Sequence, residues 1–237
     1  YFPEYCMERE VKKQSITGQN KDDIHLAVSG NFGVEKMGEE DGYLRILELL
    51  IKQEVHTHFY PHWFNYNISS VLYDNKYSDY ITLARQSPFV HMHHSVPMDN
   101  VVNELQRYDC GIHTPHHWVF PRDTGIYNVN GLAVCGSSRV YDFLDAGIPG
   151  IMIKNSYTQK LLTRYKVGIN GTLNFFDNAR RMLKGFLGSG VYLRVRKAQA
   201  AYSIYRHADR LIRFYQKVGG CPDQRFYSFC KQRIKEK

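Results

Sequence analysis

The stretch from Ser137 to Gly150, SSRVYDFLDAGIPG, holds the grouping of residues best suited to chemistry in this chain. Ser137 and Ser138 suit the start of a helix, where hydroxyls cap unpaired amides and where those amides and the helix dipole form a seat for phosphate. Arg139 and Asp142 follow, a turn apart on one side, while Val140, Phe143, Leu144 and Gly147 share an apolar face. One face packs and the other is available for binding. The plainer alternative is that Arg139 and Asp142 form a surface ion pair of little energetic weight. Gly147 suits the position just past the helix end, and Pro149 forbids continuation.

Histidine is the second chemically active type. Nine of the eleven lie between His56 and His117, including His56/His58, His91/His93 and His116/His117. Residues i and i+2 of a strand share a face, so each H-x-H could ligate one metal. No Asp, Glu or Cys accompanies these pairs at a recognised hydrolase spacing, so structural histidines are expected and no metal site is assigned; a metal-dependent hydrolase using the cluster is an alternative. The five cysteines are scattered without a C-x-x-C spacing and are expected to be reduced. Cys110 and Cys135 have histidines nearby in sequence, which does not make a catalytic dyad, and G-x-S-x-G is absent.

These residues need elements to position them. Strands are expected at 24–28, 55–60, 89–96, 110–114, 150–153 and 167–169. Between them lie a helix capped by Asp41 with Leu44, Leu47, Leu50 and Ile51 inward, one capped by Asp99, the Ser137–Gly147 helix, and one capped by Ser156. Residues 61–80 read as irregular, and 115–136 as a long connection of the kind that is usually functional or disordered. Alternating strands and helices predict an α/β fold, a parallel sheet with helices on both faces, with ligands at the carboxyl ends of the strands. The turns at Gly30–Gly33, Ser95–Pro97, His113–Pro115 and Ser137–Ser138 all follow strands and could meet in one crevice. Gly30 and Asn31 open a loop whose backbone can approach a ligand.

Length and charge bound the rest. With 237 residues and 43% hydrophobic content the chain can bury one or two cores. Its apolar runs fall far short of the roughly 20 residues that span a bilayer, and no secretory leader is read. It begins at Tyr1 and is expected to be a piece of a longer protein. Of the 31 Lys and Arg, 16 lie in residues 1–176 and 15 in 177–237, against 19 and 4 of the 23 acids. The expected units are therefore an N-terminal arm at 1–23, a Rossmann-like domain at 24–176 and a basic helical region at 177–237. Residues 194–217 carry an amphipathic basic face, either solvated or set against an anionic membrane surface. Nucleic-acid binding has no motif to support it.

The run Ser138, Arg139, Asp142, Phe143, Leu144, Ala146, Gly147, Ile148 and Pro149 resembles the nucleotide-sugar motif in the C-terminal half of GT-B glycosyltransferases, with Arg for the usual Lys and Asp for the usual Glu. The order of elements over residues 24–170 is similar as well. The resemblance implies a Rossmann-like half that binds a nucleotide-diphosphate sugar and passes the sugar to an acceptor hydroxyl on a glycan or lipid, with no cofactor and no metal. It places Arg139 and the Ser137/Ser138 helix start on the diphosphate, with help from Gly30 and Asn31. Asp142 would meet the ribose, and the turn at Ser95 and Val96 the base. It also implies that the acceptor-binding N-terminal half lies outside this chain. His113 and Asp123 are the local candidates for a base. Val134 stands where retaining members often carry a second Glu, which favours inversion. The expected location is the cytoplasm, at the inner face of a membrane if the basic helix engages it. A binding module without turnover is the alternative class, and an epimerase on the same fold comes third.

Overall fold

The computed structural model describes residues 22–30, 32, 43–61, 71–113, 138–152 and 162–219. Within them lie the strands β1 (His25–Gly30), β2 (His56–Pro61), β3 (Val90–Met92), β4 (Cys110–His113), β5 (Gly150–Met152) and β6 (Gly168–Asn170). They form one parallel sheet in the order β3-β2-β1-β4-β5-β6, the doubly wound arrangement. The helices are α1 (Tyr43–Lys52), α2 (Val71–Gln86), α3 (Met98–Leu105), α4 (Ser138–Asp145), α5 (Leu173–Phe176), α6 (Ala179–Gly188), α7 (Val191–Tyr202) and α8 (Ile204–Gly219).

Side chains of β1 alternate between two cores, as period two requires. Leu26 and Val28 meet Ile46, Leu47 and Leu50 of α1 and Ala179 and Leu183 of α6. Ala27 points the other way, toward Val102 and Leu105 of α3 and Phe143 of α4. A third cluster joins Val140 and Leu144 of α4 to Val191, Val195 and Ala198 of α7. Because α6 and α7 fill these cores, the jump in basic charge after residue 176 is not a break in packing.

Helix α4 is seated by its sequence. Phe143 lies so close under the sheet that a Cβ added at Gly111 would stand 2.4 Å from its ring, and one at Gly150 would stand 3.3 Å away. Two glycines on adjacent strands thus leave the space that one aromatic ring fills. The helix ends as the sequence predicts. Gly147 adopts φ +72, its N–H donates to the Leu144 carbonyl at 2.9 Å, and the Ile148 N–H donates to the Phe143 carbonyl at 3.0 Å. That pair of bonds is a Schellman motif, with Ile148 and Phe143 supplying its apolar contact.

Three expectations are corrected. Residues 71–86 are helical, with a kink at Tyr77, where the sequence reads as irregular up to Tyr80. The buried rings of Tyr77 and Tyr80, which pack on Phe32, outweigh the weak local propensity of this polar stretch. Pro97, not Asp99, occupies the position before α3; it makes no side-chain cap, and Asp99 sits within the first turn. The amphipathic face read over 194–217 is divided at Ser203, which is buried and extended (φ −59, ψ 130) between α7 and α8.

Candidate functional site

Three of the expected residues meet at the carboxyl end of the sheet. Gly30 ends β1, His113 ends the adjacent β4, and Arg139 lies in the first turn of α4. The Arg139 guanidinium runs back over β1 and donates from Nη1 to His113 Nδ1 at 3.0 Å. Its fit against the backbone is tight: a Cβ at Gly30 would fall 2.6 Å from both Nε and Nη2. Gly30 also has φ +97, a conformation that side-chain-bearing residues rarely adopt. The close backbone approach expected at Gly30 is therefore made to the protein's own arginine.

This geometry sets the state of His113. A guanidinium can only donate, so Nδ1 must accept and the proton of the neutral ring resides on Nε2. His113 is buried, and in this arrangement it orients a cation and offers an N–H; its Nδ1 lone pair is engaged and cannot take a proton from an acceptor. A base at His113 Nδ1 would require release of that bond to Arg139. Burial lowers the pKa of Arg139 from its ordinary value, while Tyr43, Asp142 and Tyr77 act in the opposite direction. Arginine stays ionised regardless, so the result is a partly desolvated positive charge near the sheet end.

The other expected residues stand as follows. Asp142, partly buried, is one turn along α4 from Arg139. Ser95 and Val96 follow β3, two strands away from β1, and Val96 packs against the cluster of Val102, Leu105 and Tyr108. Ser138 begins α4. Asn31, Asp123 and Ser137 lie outside the described residues, as do the His116/His117 pair and the side chain of Ser138.

A second cluster occupies the same face of the sheet at β1, β2 and β3. His25 pairs in register with His56, and His58 with His91. Hydrogen bonds link His25 Nδ1 to His58 Nε2 (2.9 Å), His58 Nδ1 to His93 Nε2 (2.9 Å) and His56 Nδ1 to His91 Nε2 (3.0 Å). Rings stack between them, His25 on His56 at 4.4 Å, His58 on His91 at 4.2 Å and His93 on Tyr60 at 4.5 Å. Burial depresses every one of these imidazoles. His25 and His93 fall to about 4, His58 falls furthest, and His56 and His91 are lowered. All five are neutral near pH 7. Beyond them the Tyr60 hydroxyl donates to Glu104 Oε1 at 2.7 Å and bonds the Tyr108 hydroxyl, and Arg107 holds the same carboxylate at 2.6 Å. Burial raises both phenols, Tyr108 to about 12. The H-x-H spacing shows two of these pairs in the sequence; the inclusion of His25 and the phenol network carries no local signal.

No family model matches the sequence, and no curated protein is significantly similar to it. Solved structures resemble it in fold. Anabaena HepE in complex with UDP-glucose aligns at a TM-score of 0.52 and 11% identity, over 83% of this chain and 49% of that one. AviGT4, a glycosyltransferase involved in avilamycin A biosynthesis, aligns at 0.51 and 14%, over 84% and 52%. An O-GlcNAc transferase mutant from Thermobaculum terrenum aligns at 0.50 and 10%, over 84% and 35%. The chain thus spans between about a third and a half of the length of these proteins. Its fold is that of one Rossmann-like half of the GT-B glycosyltransferases.

Proposed function

We propose that this chain is the nucleotide-sugar-binding half of a glycosyltransferase. The observation that carries this reading is the meeting of Gly30, His113 and Arg139 at the carboxyl end of β1 and β4, the end where doubly wound sheets bind their ligands. A desolvated guanidinium held by a neutral imidazole suits a diphosphate, because the fork is oriented before the anion arrives. The start of α4 at Ser137 and Ser138, and the Gly30–Asn31 turn, would add backbone donors. Asp142 would accept from the ribose. Ser95 and Val96, two strands across at about 5 Å per strand, lie at a suitable reach for the base.

In the reaction the acceptor oxygen attacks the anomeric carbon. The bond from that carbon to the diphosphate oxygen breaks, and its electron pair leaves with the diphosphate. Arg139 stabilises that developing charge without a metal, and the Nε2–H of His113 provides a further donor. The proton from the acceptor hydroxyl needs a base; Asp123, and His113 once released from Arg139, are the candidates on this chain. The acceptor would be a glycan or a lipid-linked glycan. No described helix is long and apolar enough to cross a membrane. We place the protein in the cytoplasm, with the basic face of residues 194–217 as its contact with an anionic membrane surface.

A second reading is a binding module without turnover, favoured by the engagement of His113 Nδ1 with Arg139. Calorimetric titration with UDP, GDP, ADP, CDP and dTDP tests the site common to both. One nucleotide is expected to bind saturably, with roughly tenfold to hundredfold weakening in Arg139→Ala and a smaller loss in Asp142→Ala. Absence of binding by every nucleotide to folded protein refutes the donor site. Assay of sugar release from a donor panel then separates transferase from module.

A further inference from the structure

The histidine cluster ends at the start of β1 and β2, at the opposite end of the sheet from Arg139. His25 is the first residue of β1, about 16 Å along the strand from Gly30, and its register partner His56 is the first of β2. Asp23 precedes His25 by two residues. Each of Asp23, His25 and His56 offers one ligand atom, and those atoms lie within 4.8 Å of one another. Ligands of a tetrahedral ion at about 2.0 Å stand roughly 3.3 Å apart, a separation that side-chain rotation can reach from here. No carboxylate accompanies the H-x-H pairs at a motif spacing, yet the parallel pairing of β1 with β2 sets one beside them.

The surroundings favour ligation. A metal-bound imidazole donates its second ring N–H to an acceptor that fixes its orientation. His25 Nδ1 faces His58 Nε2 at 2.9 Å, and His56 Nδ1 faces His91 Nε2 at 3.0 Å. When both Nδ1 atoms donate along these bonds, the lone pairs of His25 and His56 reside on Nε2; the Pro88 carbonyl, which His56 also meets, competes for that ring. His58 then passes its own Nδ1–H to His93. The row of imidazoles is thus an outer shell for two ligands. One cation competes: Arg180 lies 3.7 Å from Asp23, but it also donates to the Glu54 carbonyl at 2.8 Å and approaches the Glu54 carboxylate at 3.2 Å. Glu54 retains the guanidinium when Asp23 turns away.

We propose that Asp23, His25 and His56 form a zinc site at the amino end of the sheet, with water as the fourth ligand. Two imidazoles and one carboxylate suit zinc and exclude a preference for calcium or magnesium. The ion would fasten β1 to β2, and since it lies a strand's length from Arg139 it takes no part in sugar transfer. Because Asp23 and His56 are partly exposed, the ion has access from solvent.

The test is titration of the tag-free 237-residue chain, stripped with a chelator, using zinc against a competing chelator, and using cobalt(II) to read the ligand field. One ion per chain is expected, with the visible absorption of low-coordinate cobalt. Asp23→Asn and His56→Gln should each weaken zinc by at least about tenfold. His207→Gln, on α8, should leave zinc affinity unchanged. His56→Cys should keep the site and add a sulfur-to-cobalt charge-transfer band, which establishes ligation even if the other variants fold poorly. The proposal fails if the wild-type chain binds no zinc saturably, or if Asp23→Asn and His56→Gln bind it as the wild type does. Either result leaves the nucleotide titration unaffected.

Discussion

At its carboxyl end the sheet holds a partly buried cation, Arg139, against a glycine and a single imidazole. Along the same face a row of five neutral imidazoles runs from His93, beside Tyr60, to His25 and His56 at the amino end. Strand β1 serves both ends, with His25 at its start and Gly30 at its finish. The carboxyl end suits an anion because a positive charge is fixed there before a ligand arrives. The amino end suits a cation because it presents ring lone pairs and a carboxylate. The shared strands mean that one fold keeps two opposite chemistries about 16 Å apart, where water and counterions weaken their mutual effect.

The largest expected effect falls on the element that holds the carboxyl end in place. Phe143→Ala should cost about 3–5 kcal/mol in urea denaturation, and should weaken nucleotide binding as α4 shifts, while zinc binding at the other end persists. Equal loss of both would show that the ends are not separable. Next comes Gly30→Ala, expected to cost about 1–3 kcal/mol through its positive φ and the clash with the guanidinium. In a double-mutant cycle with Arg139→Ala the clash is relieved and the φ strain remains, so the two losses should combine to less than their sum.

Proton uptake probes the row of imidazoles that joins the two ends. His93 titrates at about 4 in the folded chain against about 6.5 when unfolded. Below pH 6.5 the unfolded chain therefore binds the extra proton, and stability is lost as the pH falls from 6.5 toward 4. The melting temperature of the metal-free protein should drop by several degrees between pH 7 and pH 5. His93→Phe should flatten that slope, and an unchanged slope would remove the ring from the account. The smallest effect is Arg180→Gln. Its pairs with Asp23 and Glu54 are partly exposed, so stability should change by less than about 1 kcal/mol. Zinc affinity should nonetheless rise, because the competing cation has gone; a fall would mean that Arg180 orients Asp23 for the metal.

Much of this was legible along the chain, and the parts that were not share a cause. The helix at Ser138–Asp145, its glycine stop and the alternation of strands follow from periods of 3.6 and 2 and from the conformational limits of Gly and Pro, all of which are local. The H-x-H pairs could be assigned to one face for the same reason. The part of α2 before Tyr80 could not be read, because rings buried against Phe32 and Phe59 stabilise it where the residues from 71 to 79 have little propensity of their own. Nor could periodicity tell that Gly30 adjoins His113, that Arg139 folds back across both, or that Asp23 and His25 stand beside His56. Those neighbours are set by which strands lie side by side, an outcome of long-range packing among α1, α3, α4, α6 and α7. Local periods set most of the elements and the residue types they carry; long-range packing sets which of those residues meet, because it joins positions some 30 to 110 residues apart that no local period connects.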